Sequence, residues 1–312
     1  MNPAEYDSVL VVKLGALGDV VQSLGPIRAI RRAHPKARLI VLTAPAFADL
    51  FAADPDVDEV WRDTRPHKFN VFGLLALRAR LRGGRFQRVY DLQTSSRSNL
   101  YFKLMGPRRP EWSGIAPGCS HPHANPARDA LHTVDRQRDQ LKMAGIDDVP
   151  DTDLSWLSAD LAGFKLPDPY VLLVPGGAPT RPKKRWPVAK YAALAQELVA
   201  HGATPVVLGG KAEAPLGEAI RAASPRVRDL TGKTSFAEIA ALARGAGAAI
   251  GNDTGPMHLI ARANCPSIVL FGSDSDPALC APRGAEVAIV RRGNLEGLGV
   301  DEVMRLLFKR AA

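Results

Sequence analysis

The chain has 312 residues, of which 46% are hydrophobic and 23% are charged, and its formal net charge is +9 at pH 7. This balance is typical of a globular protein with room for two ordinary domains, and it excludes a chain dominated by disorder. The basic excess favours a polyanionic partner, which could be nucleic acid, an anionic membrane surface or a phosphorylated substrate.

Neither a secretory signal nor a membrane-spanning segment is predicted. The first apolar run, residues 9–12, is short and follows no basic region. No stretch approaches the roughly 18 apolar residues that span a bilayer. The three cysteines, Cys119, Cys265 and Cys280, have neither metal-ligand nor paired spacing, which fits a reducing compartment. We therefore expect a cytoplasmic protein.

In the first half of the chain, apolar β-branched runs alternate with helical patterns, which predicts a parallel sheet covered by helices. The predicted strands span residues 8–14, 37–42, 57–61 and 88–92. The predicted helices span residues 20–33, 46–53, 74–82, 96–104 and 131–144, and the Pro-, Gly- and His-rich stretch 107–128 is predicted to be a long loop. Five arginines are expected to lie on the solvated side of the third helix and in the turn after it: Arg78, Arg80, Arg82, Arg85 and Arg88.

The alternation lapses between residues 147 and 169 and then begins again. The second set of predicted strands spans residues 170–174, 204–208, 227–229, 248–250 and 267–271. The predicted helices span residues 188–201, 214–222, 236–244 and 256–263, and a last helix over 300–310 is expected to pack back on the first domain. We therefore expect an α/β protein with two Rossmann-like domains, 1–150 and 170–312, joined by a linker over 151–169 and facing each other across a cleft.

The first predicted strand runs into a glycine-bearing turn, residues 13–19 (KLGALGD). It lacks the dinucleotide fingerprint, because its glycines are spaced by two residues and followed at once by a carboxylate. A pyrophosphate bound at this helix end would be repelled by Asp19. Asp19 is better suited to face a neutral or cationic atom, such as an acceptor hydroxyl from which it takes a proton. The alternative is that Asp19 only caps the helix.

A second glycine-bearing loop, residues 175–187 (PGGAPTRPKKRWP), follows the first strand of the second domain. Backbone amides, a hydroxyl and up to four cations converge after the carboxyl end of a strand, where open α/β sheets bind ligands. The loop therefore predicts a phosphate site, although it is not a Walker loop. The alternative is an exposed basic loop in which Trp186 packs on the core.

The third segment, residues 251–259 (GNDTGPMHL), is another junction between a strand and a helix. Its polar residues can cap the helix, and Pro256 suits the first helical turn. Free amides at the helix start could bind a second phosphate, with His258 in the first turn on the ligand side. The alternative is that His258 is structural.

Together, these three segments resemble glycosyltransferase family 9, the ADP-heptose:lipopolysaccharide heptosyltransferases, from about residue 9 to residue 271. The most specific part is the motif D-T-G-x-x-H at residues 253–258, and the segments 13–21, 132–136 (HTVDR) and 184–187 (KRWP) support it. The resemblance implies a GT-B fold with the acceptor bound by the first domain and the nucleotide sugar by the second. It also implies inversion at the anomeric carbon, with no catalytic metal and no cofactor.

The resemblance also implies catalytic and binding roles for individual residues. Asp19 matches the general base, Thr180 and Lys184 match residues that hold the donor phosphates, and Glu213 matches an acidic residue near the donor ribose. The donor-binding motif corresponds to Asp253, Thr254, Gly255 and His258. Two departures, Gln22 and Pro179, bear on which sugars are used.

Charge and loop position predict a second set of residues, which would bind the acceptor: Arg62, Arg65, Lys68, Arg97 and Arg128. The expected partners are a nucleotide-sugar donor, an anionic lipid-linked saccharide and, through salt-sensitive attraction, the anionic inner face of the inner membrane. Nucleic acid is not expected, because zinc-finger, basic-zipper and RNA-binding patterns are missing from the sequence. The alternatives are another GT-B nucleotide-sugar enzyme, either a different transferase or an epimerase, and a non-catalytic nucleotide-sugar-binding protein.

Overall fold

A computed structural model describes residues 6–63, 65–67, 69–178 and 180–311. The chain divides into two compact units, Met1–Trp156 and Leu157–Ala312. The boundary between them falls inside the predicted linker, and each unit has a parallel sheet of its own.

In the part of the first unit that the structure describes, the strands are β1 (Ser8–Val12), β2 (Arg38–Thr43), β3 (Glu59–Arg62), β4 (Arg88–Asp91), β5 (Glu111–Gly114) and β6 (His121–Pro122). They pair in parallel in the order β3-β2-β1-β4-β5-β6. The helices are α1 (Leu17–Ala33), α2 (Ala48–Ala52), α3 (Val71–Gly83), α4 (Ser96–Met105) and α5 (Thr133–Met143). β1 is buried along its whole length, as its continuous apolar sequence predicts for a central parallel strand.

The second unit contains β7 (Tyr170–Val174), β8 (Thr204–Val207), β9 (Arg228–Asp229), β10 (Ala248–Asn252), β11 (Ser267–Phe271) and β12 (Val287–Arg291). Their parallel order is β12-β11-β10-β7-β8-β9. The helices are α6 (Val188–Ala200), α7 (Ala214–Ala223), α8 (Phe236–Gly245), α9 (Gly255–Arg262), α10 (Pro277–Cys280) and α11 (Val300–Ala311).

Both sheets have the strand order of a Rossmann fold. The order reverses between β1 and β4 in the first sheet and between β7 and β10 in the second. Open α/β sheets bind ligands at this reversal, beyond the carboxyl ends of the strands. The prediction of two Rossmann-like α/β domains is therefore confirmed, and two places in the chain become candidate sites.

The prediction of one long loop over 107–128 is wrong, because β5 and β6 lie inside it. These strands have four and two residues, too few to show an alternating pattern. Tertiary contacts hold them: the Trp112 ring packs edge-on against Phe102 with centroids 5.3 Å apart, and its backbone N–H donates to the Ser120 hydroxyl at 2.7 Å. The strand β12 and the short helix α10 were also not predicted.

The C-terminal helix α11 packs on the core of its own unit. Val303 and Met304 are buried there, in the same cluster as Trp186. The expected packing of this helix on the first domain stays a prediction.

The chain just before the unit boundary packs closely on α1. A side chain at Gly25 would place its Cβ 2.4 Å from the carbonyl oxygen of Pro150. The Thr152 hydroxyl donates to the carbonyl of Val21 at 3.2 Å on the same helix. The start of the predicted linker is therefore fixed to the first unit.

Gly25→Ala should lower the free energy of unfolding by about 1–3 kcal/mol, because the added methyl group overlaps backbone that cannot easily move. The loss must exceed the gain of about 1 kcal/mol that alanine brings inside a helix. Urea unfolding measures it, with Gly83→Ala as control because a Cβ there meets nothing within 4 Å. Equal stabilisation by both variants would show that residues 150–152 do not press on α1.

Candidate active site

The strand reversal in the first unit opens into a small polar cavity. Its volume is about 60 Å³. It is lined by residues that follow β1 and β4 and by one face of α5, namely Lys13, Asp19, Leu92, Gln93, Thr94, Thr133, Arg136, Gln137 and Gln140. Asp19 thus lies at the place where the sheet topology favours a ligand.

Asp19 lies in the first turn of α1 and is half-buried. The turn before it requires glycine at position 15 for two reasons. The φ angle of Gly15 is +127°, which other residues rarely adopt, and a Cβ atom at this position would lie 2.5 Å from the ring of Phe47. The N-cap residue is Ala16, which has no side chain able to cap. Among the described residues the carboxylate of Asp19 accepts no hydrogen bond, so this geometry favours a role toward a ligand over a capping role.

A buried cation forms part of the same cavity. The ammonium of Lys13 donates to the carbonyl of Leu92 at 3.2 Å. Burial lowers the pKa of Lys13, and the charges of Asp19 and Asp91 oppose that shift. Burial also raises the pKa of Asp91 to about 6, although hydrogen bonds from Ser98 and nearby amides oppose this. Asp19 therefore shares its cavity with the amine of Lys13 and the guanidinium of Arg136.

Gln137 is a candidate site residue that the sequence did not single out. Its side chain is buried in the cavity wall, yet neither its amide oxygen nor its amide nitrogen has a hydrogen-bond partner in the described structure. The nitrogen of the nearby Gln140, by contrast, donates to the carbonyls of Asp91 and Ser113. A buried polar group without a partner is costly, so Gln137 is available to a ligand hydroxyl. The sequence did contain one indication of this: α5 has polar residues, including Gln137 and Gln140, at positions that are buried.

Two of the predicted acceptor arginines meet near the end of β3. Arg65 donates to the carbonyl of Leu14 at 2.7 Å, beside the turn that carries Asp19. Arg97 donates to the carbonyl of Pro66 and to the hydroxyl of Tyr101, both at 2.8 Å. The structure therefore brings Arg65 and Arg97 together.

Arg62 and Arg128 each lie beside an acidic residue. Arg62 is exposed and lies 3.4 Å from a carboxylate oxygen of Asp49. Arg128 lies 2.7 Å from Asp129, in a short turn before α5. Lys68 lies outside the described residues.

In the second unit, the amide of Asn252 connects the two strands at the reversal. Its oxygen accepts from the backbone N–H of Trp186 at 3.0 Å and from the hydroxyl of Tyr191 at 3.1 Å. Its nitrogen donates to the carbonyls of Pro175 and Gly176 at 2.8 and 3.0 Å. Asn252 is fully buried, so it fixes the loop after β7 to the end of β10.

Three ionisable groups from the predicted donor site converge beside this amide. The ammonium of Lys184 lies 2.5 Å from one carboxylate oxygen of Asp253, and Nε2 of His258 lies 3.9 Å from the other. All three side chains are largely buried. Lys184 comes from a short 3-10 turn, Pro182–Lys184, while Asp253 and His258 flank the start of α9. The structure thus brings these residues together although 69 positions separate Lys184 from Asp253.

Glu213 also lies at the carboxyl ends of the strands, where its carboxylate holds two loops together. One carboxylate oxygen accepts from the amide of Gly177 at 3.1 Å, and the other accepts from the amide of Gly210 at 2.7 Å. This carboxylate joins the loops after β7 and β8. It also occupies the Gly177 amide that the sequence analysis offered to a phosphate.

The remaining donor candidates are accessible. Thr254 is the N-cap residue of α9 and makes no side-chain cap bond, so its hydroxyl and the amide of Gly255 are at the helix start. Thr180 is exposed in the turn before Lys184. Trp186 is buried in the core, which positions the basic loop beside it. Among the described residues, no three His, Cys, Asp or Glu side chains are grouped to hold a metal ion.

Two Rossmann-like units, each with polar side chains at its strand reversal, form the architecture of the GT-B class. The sequence profile described as "Glycosyltransferase family 9 (heptosyltransferase)" matches residues 74–298. The chain therefore belongs to glycosyltransferase family 9.

Named relatives agree with this assignment. The lipopolysaccharide heptosyltransferase 2 of Escherichia coli is 27% identical over 308 residues, covering 91% of this chain and 87% of that protein. The lipooligosaccharide heptosyltransferase 2 of Haemophilus influenzae is 38% identical over 120 residues, 37% of this chain and 34% of that protein. The solved structure of E. coli ADP-heptose lps heptosyltransferase II has the same fold, with a TM-score of 0.79 at 22% identity over 98% of this chain and all of that one.

Asn252→Ala should destabilise the second unit by about 2–4 kcal/mol, because it leaves several buried backbone groups without partners. It should also weaken nucleotide binding, since the loop that carries Lys184 would lose its attachment. Urea unfolding and titration calorimetry measure the two effects, with the exposed Asn294→Ala as control. Wild-type stability in Asn252→Ala would contradict the role given to this amide.

Proposed function

We propose that this protein is an inverting glycosyltransferase that moves a heptose, or a closely related sugar, from an ADP-sugar to the inner core of lipopolysaccharide. The observation that carries the proposal is the cluster of Lys184, Asp253 and His258 at the second strand reversal, beside the amides of α9. Membership of family 9 and the names of the relatives support heptose as the sugar.

The proposed reaction is a single displacement at the anomeric carbon of the donor. The oxygen of an acceptor hydroxyl forms the new bond to that carbon, while the bond from the carbon to the pyrophosphate oxygen breaks. Asp19 receives the hydroxyl proton, and the nucleoside diphosphate leaves with the bonding electron pair. The accessible carboxylate of Asp19, close to buried Lys13, suits this role because it is not already engaged by protein donors.

Negative charge grows on the departing pyrophosphate, and the second unit offers groups to stabilise it. Lys184 supplies a full charge, and the Thr254 hydroxyl and the amide of Gly255 supply hydrogen bonds at a helix start. Thr180 would reach an outer phosphate oxygen. We propose that these groups serve without a catalytic metal or a cofactor, and that Asp253 orients Lys184 and His258.

Acceptor binding belongs to the first unit in this proposal. Arg65 and Arg97 lie close to the Asp19 turn and suit phosphates or carboxylates of the saccharide. Arg62, Lys68 and Arg128 would extend the basic surface. Gln137, in the cavity beside Asp19, would hydrogen-bond the attacking sugar.

The acceptor is lipid-linked, so the reaction would take place at a membrane surface. In the described residues, no helix has the length and apolar character required to cross a bilayer. We propose that the enzyme works in the cytoplasm, in peripheral contact with the inner face of the inner membrane. The charge of +9 supports attraction to anionic lipid.

Asp19→Asn should lower turnover by roughly 10²–10⁴-fold and leave donor affinity nearly unchanged, because only proton removal is lost. Single-turnover kinetics and donor titration separate the two quantities. Asp148→Asn, at an exposed position, is the matched control. Full activity of Asp19→Asn would remove Asp19 as the general base.

Lys184→Ala should weaken ADP binding by about 1.5–3 kcal/mol, the range of a charge-assisted hydrogen bond. Lys183→Ala is the control, because Lys183 is the exposed neighbour in the same turn. Titration calorimetry with ADP measures the loss of affinity in each variant. The same titration with UDP shows which of the two nucleotides the protein prefers. Equal ADP affinity in the two variants would remove Lys184 from the donor site, and a preference for UDP would favour a different GT-B enzyme.

A further inference from the structure

One surface of the first unit has a composition that neither the fold nor the proposed chemistry requires. Four large apolar side chains are exposed in and just before the first turns of α3: Phe69, Val71, Phe72 and Leu75, at 77%, 60%, 86% and 56%. They are four of the eight exposed large apolar side chains among the described residues. Such clustering indicates a binding surface, because exposed apolar residues are normally scattered. We call these four residues the α3 apolar patch.

The patch does not result from a poorly packed helix. Leu77 and Leu81 of α3 are buried in the core, so the helix already has a core-facing side. Phe72 lies about 140° around the helix axis from Leu77, and exposed Ala76 and Ala79 continue its face. α3 is therefore apolar on two opposite sides, which is unusual for a helix on the surface of a water-soluble unit.

The chain around the patch is strongly basic. Residues 64–90 contain seven Arg or Lys and no Asp or Glu. The next acidic residue, Asp91, is completely buried, and Glu111 is the first one after it. Arg80, Arg82 and Arg85 are exposed, as the sequence predicts. Arg88 is a correction to that prediction, because it is buried in β4 and lies 2.5 Å from Glu111.

The exposed apolar side chains and the exposed arginines together favour one kind of binding partner for the α3 apolar patch over the others. If a second copy of the chain paired with the first through this same face, the exposed arginines of the two α3 segments would lie opposite one another, and the like charges would repel. Single-stranded nucleic acid would use arginines and aromatic rings, but Val71, Leu75 and Ala76 offer it no stacking surface. An anionic bilayer accepts aliphatic and aromatic side chains below its head groups and arginines at its phosphates.

We propose that the α3 apolar patch inserts into the interfacial layer of an anionic phospholipid bilayer, with Arg82 and Arg85 on the surrounding phosphates. The proposal extends the proposed function, because it gives an enzyme with a lipid-linked acceptor a defined face for the membrane. It differs from the attraction expected from net charge alone, since buried apolar area persists when salt screens the charges.

Co-sedimentation of the full-length protein with vesicles tests the proposal. The vesicles contain equal parts of phosphatidylglycerol and phosphatidylcholine, and the salt is varied from about 0.1 M to about 1 M, where screening reaches about 3 Å. Wild-type protein should keep measurable binding at high salt. Phe72→Ser should lower that salt-resistant partitioning by about ten-fold, the effect of removing one partly inserted aromatic side chain.

Two further variants separate insertion from charge. Phe308→Ser, an exposed phenylalanine in the second unit, should bind like wild type at every salt concentration. Arg82→Gln combined with Arg85→Gln should lose the additional binding that wild type gains at low salt and should keep the salt-resistant part. All variants should match wild type in thermal unfolding and in turnover with an acceptor saccharide that lacks acyl chains, which shows that any loss belongs to the membrane step.

Several outcomes would overturn the assignment. Equal vesicle binding of Phe72→Ser and wild type would exclude insertion, as would complete loss of wild-type binding at 1 M salt. Loss of single-stranded RNA binding in Phe72→Ser without loss of vesicle binding would assign the patch to nucleic acid. Failure of the transferase reaction itself would appear as no turnover with the acyl-free acceptor in wild type, and it would leave the vesicle results unaffected.

Discussion

The site residues depend on one constraint, the reversal of strand order in the middle of each parallel sheet. At that reversal the loops from neighbouring strands separate, and backbone N–H and C=O groups at the carboxyl edge lose their strand partners. Each unit supplies a side-chain amide for them. The oxygen of Gln93 accepts from the backbone N–H of Leu14 at 2.8 Å, and the nitrogen of Asn252 donates to the carbonyls of Pro175 and Gly176. The reactive side chains lie next to these amides because the same loops carry both.

Each reversal also holds a lysine near an aspartate, but the two pairs are arranged differently. Lys184 and Asp253 are in direct contact, so the carboxylate is engaged and can orient the ammonium toward an anion. Lys13 instead donates to the carbonyl of Leu92, which leaves the carboxylate of Asp19 with charge attraction but no hydrogen bond among the described residues. The first arrangement suits binding of a leaving pyrophosphate, and the second suits acceptance of a proton.

The sequence was sufficient to predict the strands and helices whose apolar patterns recur along the chain. Continuous apolar runs predicted β1, β7 and β11 because central parallel strands are buried on both faces. It was insufficient to predict elements that form only because of tertiary contacts. β5 and β6 are too short to carry a pattern, and they depend on the packing of Trp112 and on the Ser120 hydroxyl. The buried Arg88 looked like a surface residue because its partner, Glu111, lies 23 positions away.

The candidate site shows the same division. The motif at residues 253–258 predicted that Asp253 and His258 would lie together, since both flank one helix start. Glu213 was matched to a residue near the donor ribose, and only the structure shows that it binds the amides of Gly177 and Gly210. The polar residues of α5 were a weak sequence signal for Gln137, and only the structure shows that its amide has no hydrogen-bond partner among the described residues.

Transfer of a heptose from an ADP-sugar to a lipopolysaccharide core changes the mass of the acceptor. A truncated lipopolysaccharide acceptor, incubated with ADP-heptose and the purified protein, is therefore analysed by mass spectrometry. We expect a product heavier by one heptose residue, formed together with ADP, and NMR of that product should show the anomeric configuration opposite to that of the donor. An unmodified acceptor would exclude heptose transfer, and a product that retains the donor configuration would exclude the single displacement.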